Sequence, residues 1–265
     1  MVRVAEFGAG HPLVLVPGMQ GRWEYVRPAV EALAAHCRVI TFALAGDAAS
    51  GLPFDEARGL DNYVDQISAV LRDRRIERAP ICGISFGGLA ALRFAAVAPD
   101  RVSALVLVST PGPDWRQKRR HQLYTRFPRL FLPVFAVETP FRLRPELAAA
   151  LPNARERAAF AMAQMANLAT APVSAARMAE RGRLLQHLDV DADCARISAP
   201  TLIVIGERAL DRIVPVEGTE RYAHLIAGAH LSTIPNTGHL GCNTRPREFA
   251  AIVRDFLEKR NHAAA

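Results

Sequence analysis

Short apolar runs recur along the chain: Pro12-Leu13-Val14-Leu15-Val16, Arg38 to Phe42, Ala79 to Cys82, Val102 to Val108 and Pro200 to Ile205. A run with no polar face is buried on both sides, as in the strands of a parallel sheet. Between the runs the apolar positions change period. Pro28 suits a first helical turn, with Val26, Val30, Leu33 and Cys37 at helical spacing around it, and Val64, Ile67, Val70 and Leu71 mark a second amphipathic helix. Phe249, Ile252, Val253, Phe256 and Leu257 give a closing helix the i, i+3, i+4, i+7, i+8 pattern. Arg3 to Phe7 and His230 to Ile234 read as further short strands, and Val216 to Ala227 as a helix. The alternation predicts an α/β fold with a doubly wound, mostly parallel sheet covered by helices on both faces.

The rhythm breaks between Gly112 and about Asp193, where prolines, arginines, aromatics and Ala-rich helical pieces replace it. Phe160, Met162, Met165 and Leu168 suggest one amphipathic helix there, its methionines serving as packing. The expected organisation is therefore a core of residues 1–111 and 194–265, interrupted by a helical cap, or lid, at 112–193.

With 265 residues, half of them apolar, and both charge signs present, the chain reads as soluble and globular. Leu130 to Val137 is its longest candidate membrane run; it contains Pro133 and falls far short of the roughly 20 residues that a spanning helix needs. The first seven residues lack the long apolar region of a secretory signal, which makes a cytoplasmic location the expectation. Cys37, Cys82, Cys194 and Cys242 are scattered without a Cys-x-x-Cys pair, so reduced, mostly buried thiols are expected rather than a zinc site or a disulfide framework. No metal or cofactor is expected.

The net charge of +7 is localised. Residues 112–190 hold thirteen Lys or Arg against six Asp or Glu, and the remaining residues balance at twenty of each sign. Neither a zinc-finger nor an RNP pattern accompanies the excess, so nucleic acid is not an expected partner.

The chemistry is expected at Ala79 to Leu92, where an apolar run meets Gly83-Ile84-Ser85-Phe86-Gly87 and passes straight into a helical pattern. A strand that reverses into a helix within one residue strains that residue's backbone, and flanking glycines leave room for the turn. Ser85 is the candidate nucleophile, exposed where the free N–H groups and positive dipole end of a helix stabilise negative charge. A serine oxygen needs a base within hydrogen-bond reach, held in one tautomer by a third group. His239 follows a strand end and the turn Pro235-Asn236-Thr237-Gly238, on the side of the sheet where Ser85 emerges. The loop after Ile205 offers two acids, Glu207 and Asp211, of which Asp211 lies deeper in the loop. For an oxyanion, Phe86 and Met19 are the expected backbone donors, Gly18 letting the Met19 backbone approach closely.

These features resemble the α/β-hydrolase superfamily, with its Gly-x-Ser-x-Gly elbow and the chain order Ser, Asp, His. The resemblance covers about 1–111 and 194–260, and leaves the segment between them unmatched. It implies Ser85 as nucleophile, Asp211 as acid, His239 as base, and Met19 and Phe86 as oxyanion donors; the N-terminus is too short for the family's first strand, which leaves an expected sheet of about seven strands. Pro17-Gly18 stands where many members have His-Gly, and Ala43 where an Asp commonly opens the loop. The implied activity is hydrolysis of a small or medium-sized carboxylic ester through an acyl-enzyme. Carbon–carbon hydrolysis of a diketone and lactone opening use the same triad, and a ligand receptor on the same fold is a different class of reading. Two expectations attach to the basic segment: a solvated face, or a lid that attracts anionic substrates while Leu123, Phe127, Phe131 and Phe135 receive the acyl portion.

Overall fold

The computed structural model describes residues 2–186 and 188–263, with nothing stated for the side chains of Leu132, Phe135 and residues 260–263. Seven strands form one sheet in the order β1-β3-β2-β4-β5-β6-β7, with β1 Val4–Phe7, β2 Pro12–Val16, β3 Arg38–Phe42, β4 Ala79–Ile84, β5 Val102–Val108, β6 Thr201–Ile205 and β7 His230–Thr233. Every neighbouring pair is parallel except β1 with β3.

Alternation along the strands sends successive side chains to opposite faces. Val14, Val16, Ile40, Phe42, Ile81, Leu105, Leu107, Ile203 and Ile205 join one core, and Leu13, Leu15, Val39, Cys82, Ile84, Val106, Val108, Leu202 and Val204 the other. Helices α2 (Asp61–Asp73) and α3 (Phe86–Val97) cover the first face; α1 (Arg27–Ala34) and the closing helix cover the second. Of the twelve residues of α3, only Arg93 and Val97 escape full burial, which is why its sequence is apolar all round.

Between β5 and β6 the chain inserts four helices, α4 (Arg119–Arg126), α5 (Pro128–Ala150), α6 (Ala154–Thr170) and α7 (Ala175–Leu184), followed by the short α8 (Asp191–Cys194). The helix expected over Val216 to Ala227 is two short pieces, α9 (Val216–Glu220) and α10 (Tyr222–Leu225). The chain closes with α11 (Gly241–Thr244) and α12 (Pro246–Ala263).

One expectation about the insertion is corrected. Met162, Met165 and Leu168 of α6 are 70%, 65% and 47% exposed, so they are not the packing face. The partly covered residues are instead Arg157, Phe160, Gln164 and Asn167, which also follow helical spacing. Asn167 Nδ2 donates to the Glu24 carbonyl at 3.0 Å, and Arg157 Nη1 donates to the Leu151 and Pro152 carbonyls at 2.7 Å each. The Asn167 bond ties the partly covered face, which includes Phe160, to the segment before α1, and Met162, Met165 and Leu168 are left outward.

Strand register determines which loops meet. Val16 at the end of β2 lies opposite Gly83 in β4, so the loop after β2 and the turn after β4 leave the sheet side by side. Ile205 of β6 pairs with Thr233 of β7, and the loops that follow them emerge together as well. All four loops leave the carboxyl ends of the strands, where open α/β sheets place their sites.

Candidate active site

Ser85 occupies the single residue between β4 and α3, with φ 53° and ψ −120°. For a residue with a Cβ this is a strained conformation, costing on the order of 1–3 kcal/mol. Two glycines make the turn sterically possible: a Cβ on Gly83 would collide with the Gly87 carbonyl, and one on Gly87 with the carbonyl oxygens of Val16 and Pro17. The Ser85 N–H donates to the Val108 carbonyl at 2.7 Å and its carbonyl accepts from Gly88 N–H at 2.9 Å, fixing the turn at both ends.

His239 Nε2 lies 3.1 Å from Ser85 Oγ, and His239 Nδ1 lies 3.3 Å from Asp211 Oδ2. The other Asp211 oxygen, Oδ1, accepts the backbone N–H groups of Ile213 and Val214 at 2.9 Å each. The Asp211 side chain is 2% exposed and the His239 side chain 11%. Burial by itself would push the imidazole pKa down; the Asp211 carboxylate beside Nδ1, aided by Glu146, overcomes this and the net shift is upward. Asp211 thus stands in a position to hold the ring in the tautomer with Nδ1 protonated, leaving Nε2 to accept the Ser85 proton.

Glu207, the other acid of that loop, faces elsewhere. Its Oε1 accepts the Asn236 N–H at 2.8 Å, and its own N–H donates to the Thr237 carbonyl at 2.7 Å. Glu207 therefore ties the acid loop to the turn that delivers His239, whose residue Asn236 has φ 58°.

The expected oxyanion donors lie against the same serine. Phe86 is the first residue of α3, so its N–H is one of the amides a helix leaves without an internal acceptor. A Cβ built on Gly18 would come within 3.4 Å of Ser85 Cβ, so the loop carrying Met19 packs directly on the serine. The Gly21 N–H donates to the Gly18 carbonyl at 2.9 Å, closing that loop as a tight turn.

Three residues of the inserted helices reach these loops, and the sequence reading did not single them out for a role at the site. Arg142 Nη2 on α5 donates to the Arg212 carbonyl at 2.6 Å, beside Asp211. Glu146, one turn further along, accepts the Leu240 N–H at 2.6 Å, beside His239. Arg181 on α7 is 1% exposed; its Nη1 donates to the Met19 carbonyl at 3.0 Å and its Nε to the Tyr63 hydroxyl at 3.3 Å. The available signal is weak, an acid four residues after an arginine inside an apolar helix. Other arginines of this segment bond to protein: Arg116 to the Pro113 and Trp115 carbonyls, and Arg120 to Glu138 at 3.6 Å. Leu123 and Phe127, two of the residues expected to receive an acyl chain, are exposed, while Phe131 stacks on Tyr124 with ring centroids 5.1 Å apart. The side chain of Phe135 lies outside the described residues.

Among the described residues, no three His, Cys, Asp or Glu side chains gather to hold a metal ion, and no helix is long and apolar enough to cross a membrane. Cys82, Cys194 and Cys242 are buried and Cys37 half-buried; burial pushes the Cys37 thiol up to about 11 and the Cys194 and Cys242 thiols up to about 12.

The chain is similar over almost its full length to hydrolases of differing specificity. It is 29% identical to a 2-hydroxy-6-oxo-2,4-heptadienoate hydrolase of Pseudomonas putida, covering 95% of this chain and 91% of that one. It is likewise 29% identical to a pimeloyl-[acyl-carrier protein] methyl ester esterase of Nitrosomonas europaea, covering 94% and 97%. The solved structure of a thermophilic esterase from Thermogutta terrifontis superimposes with a TM-score of 0.78 at 24% identity, over 98% of this chain and 93% of that one. The model of the alpha/beta hydrolase family matches residues 13–252, from the second strand into the closing helix, and the chain belongs to that family.

Proposed function

We propose that the protein is a serine hydrolase that cleaves a carboxylic ester of a small or medium-sized substrate through an acyl-enzyme. The observation that carries this reading is the chain of contacts from Ser85 Oγ through His239 to Asp211, at 3.1 and 3.3 Å. In the first half-reaction Ser85 Oγ attacks the carbonyl carbon while its proton passes to His239 Nε2. The oxyanion receives the N–H groups of Met19 and Phe86, each worth about 3 kcal/mol by analogy with measured oxyanion donors. The imidazolium then protonates the leaving alcohol as the ester C–O bond breaks. In the second half-reaction water, activated by His239, releases the acid and restores Ser85.

Residues 112–193 are read as a cap over this site. Support comes from the bonds of Arg142, Glu146 and Arg181 to the loops that carry Asp211, His239 and Met19. A carbon–carbon hydrolase is the second reading, favoured by the similarity to the heptadienoate hydrolase over 95% of the chain. The test is a panel of neutral p-nitrophenyl esters of increasing acyl length, run beside a lactone, a 2-hydroxy-6-oxo-dienoate and the Ser85→Ala variant. Ester turnover lost in Ser85→Ala supports the leading reading. Turnover of the dienoate with all esters inert would transfer the assignment to carbon–carbon cleavage.

A further inference from the structure

Glu146 is 1% exposed, and among the described residues no Lys or Arg nitrogen lies within ion-pair distance of it. Burial pushes the Glu146 carboxyl above its ordinary value, and the Leu240 amide and the neighbouring His239 act against that rise, so its charged form is favoured most when the imidazole is protonated. Its Oε1 accepts the Leu240 N–H at 2.6 Å. Leu240 directly follows His239 in the chain. The second oxygen, Oε2, is buried without a hydrogen-bond partner, so one amide is all that offsets the loss of water around the carboxyl. The titratable groups that act on it are His239 and Asp211 from the loops of the sheet and Cys242 from α11, while Arg142 of its own helix acts on the same His239. Through Arg142 and Glu146, one turn apart, α5 holds both the loop of the acid and the loop of the base.

We propose that Glu146 is a positioning residue of the active site: it fixes the His239 turn through the Leu240 amide, and its charge stabilises the imidazolium that forms when His239 takes the Ser85 proton. Glu146 exchanges no proton in this step. The proton moves from Ser85 Oγ to His239 Nε2 as the bond from Oγ to the electrophile forms, and Glu146 lowers the cost of the positive charge that results. The charge balance around the imidazole agrees with this geometry. Burial opposes its protonation, Asp211 and then Glu146 favour it, and Arg142 opposes it. The inference rests on the triad reading and is independent of whether the substrate is an ester.

The experiment uses the full chain and a fluorophosphonate probe, so that no substrate need be known. The labelling rate at Ser85 is measured against pH for wild type, Glu146→Gln and Glu146→Ala, and the His239 imidazole is titrated by NMR in the same three proteins. Glutamine keeps an acceptor for Leu240 N–H but removes the charge. In Glu146→Gln the His239 titration and the acid limb of labelling should both move to lower pH, by about half a unit or more, because an opposite charge near an imidazole raises its pKa. The plateau rate should fall about threefold to tenfold in Glu146→Gln and further in Glu146→Ala, where the turn also loses its anchor. A purely structural role would lower the plateau or the folded fraction and leave the His239 titration where it is. That result in Glu146→Gln overturns the proposal, even if Glu146→Ala fails to fold. Wild type that does not label at Ser85 would overturn the triad reading and this proposal with it, whereas wild-type labelling with an unmoved limb overturns the proposal alone.

Discussion

Alternate residues of Leu13 to Val16 serve two cores on opposite faces of the sheet, while on α6 two large apolar side chains, Met162 and Met165, point outward at 70% and 65% exposure. The strand has no freedom in this respect: neighbours on both sides bond its backbone, both faces are covered, and every apolar residue is buried wherever it falls. A helix packed on one side only can turn about its own axis. Its orientation is set by the few contacts it makes to its neighbours, here the bond of Asn167 to the Glu24 carbonyl, with Phe160 partly covered. Apolar pattern is therefore a reliable guide to structure in the sheet and a poor one in the insertion.

Substitutions in the two regions should differ accordingly. The largest effect on turnover short of removing the nucleophile is expected from Asp211→Asn, which keeps shape and most packing. An amide on His239 Nδ1 favours the wrong tautomer and cannot stabilise the imidazolium, so turnover should fall about 10⁴-fold, as in other triads of this kind, with the melting temperature changed far less. Glu207→Gln should cost much less. A greater loss from Glu207→Gln than from Asp211→Asn would exchange the roles of the two acids.

Next in size is Gly87→Ala, a single methyl added where the turn meets the β2 backbone. Its Cβ would meet the Val16 and Pro17 carbonyl oxygens, both backbone atoms that cannot swing aside. Denaturant unfolding should show a loss of about 3 kcal/mol or more, and labelling of Ser85 should fall with it. A stable Gly87→Ala protein with wild-type labelling would mean that the elbow is looser than its contacts indicate. The smallest effect is expected in the insertion: Met165→Gln, on the outward stripe, should stay within about 0.5 kcal/mol of wild type. A loss of 2 kcal/mol or more at that position would show that α6 buries the face assigned here to solvent.

The order of strands and helices in the core, and the convergence of Ser85, Asp211 and His239, were legible because each depends on local rules. Gly83 and Gly87 announce a turn that only small residues permit, Asp211 follows a fully buried apolar run, and His239 follows the turn Pro235-Asn236-Thr237-Gly238 after a short edge strand. Position in the insertion was not legible. Nothing local to Glu146 or Arg181 states that a long helix containing Pro133, Pro140 and Pro145 will bring the first against the base loop, or that α7 will bring the second against the Met19 carbonyl. Such contacts depend on how the inserted helices pack against the loops of the sheet. The split of Val216 to Leu225 into α9 and α10 is a smaller failure of the same kind, a break within a segment of continuous helical pattern.

The account stands on Ser85 as an activated nucleophile, and mass spectrometry of the fluorophosphonate-treated protein tests this most directly. One adduct on the peptide containing Ser85 is expected, forming with a rate that rises through a pKa above that of an ordinary imidazole, roughly 6.5, since His239 must be neutral to accept the proton and its environment favours the charged form. The adduct should be absent in Ser85→Ala. An adduct at another residue, or none in a folded wild-type protein, would contradict the account.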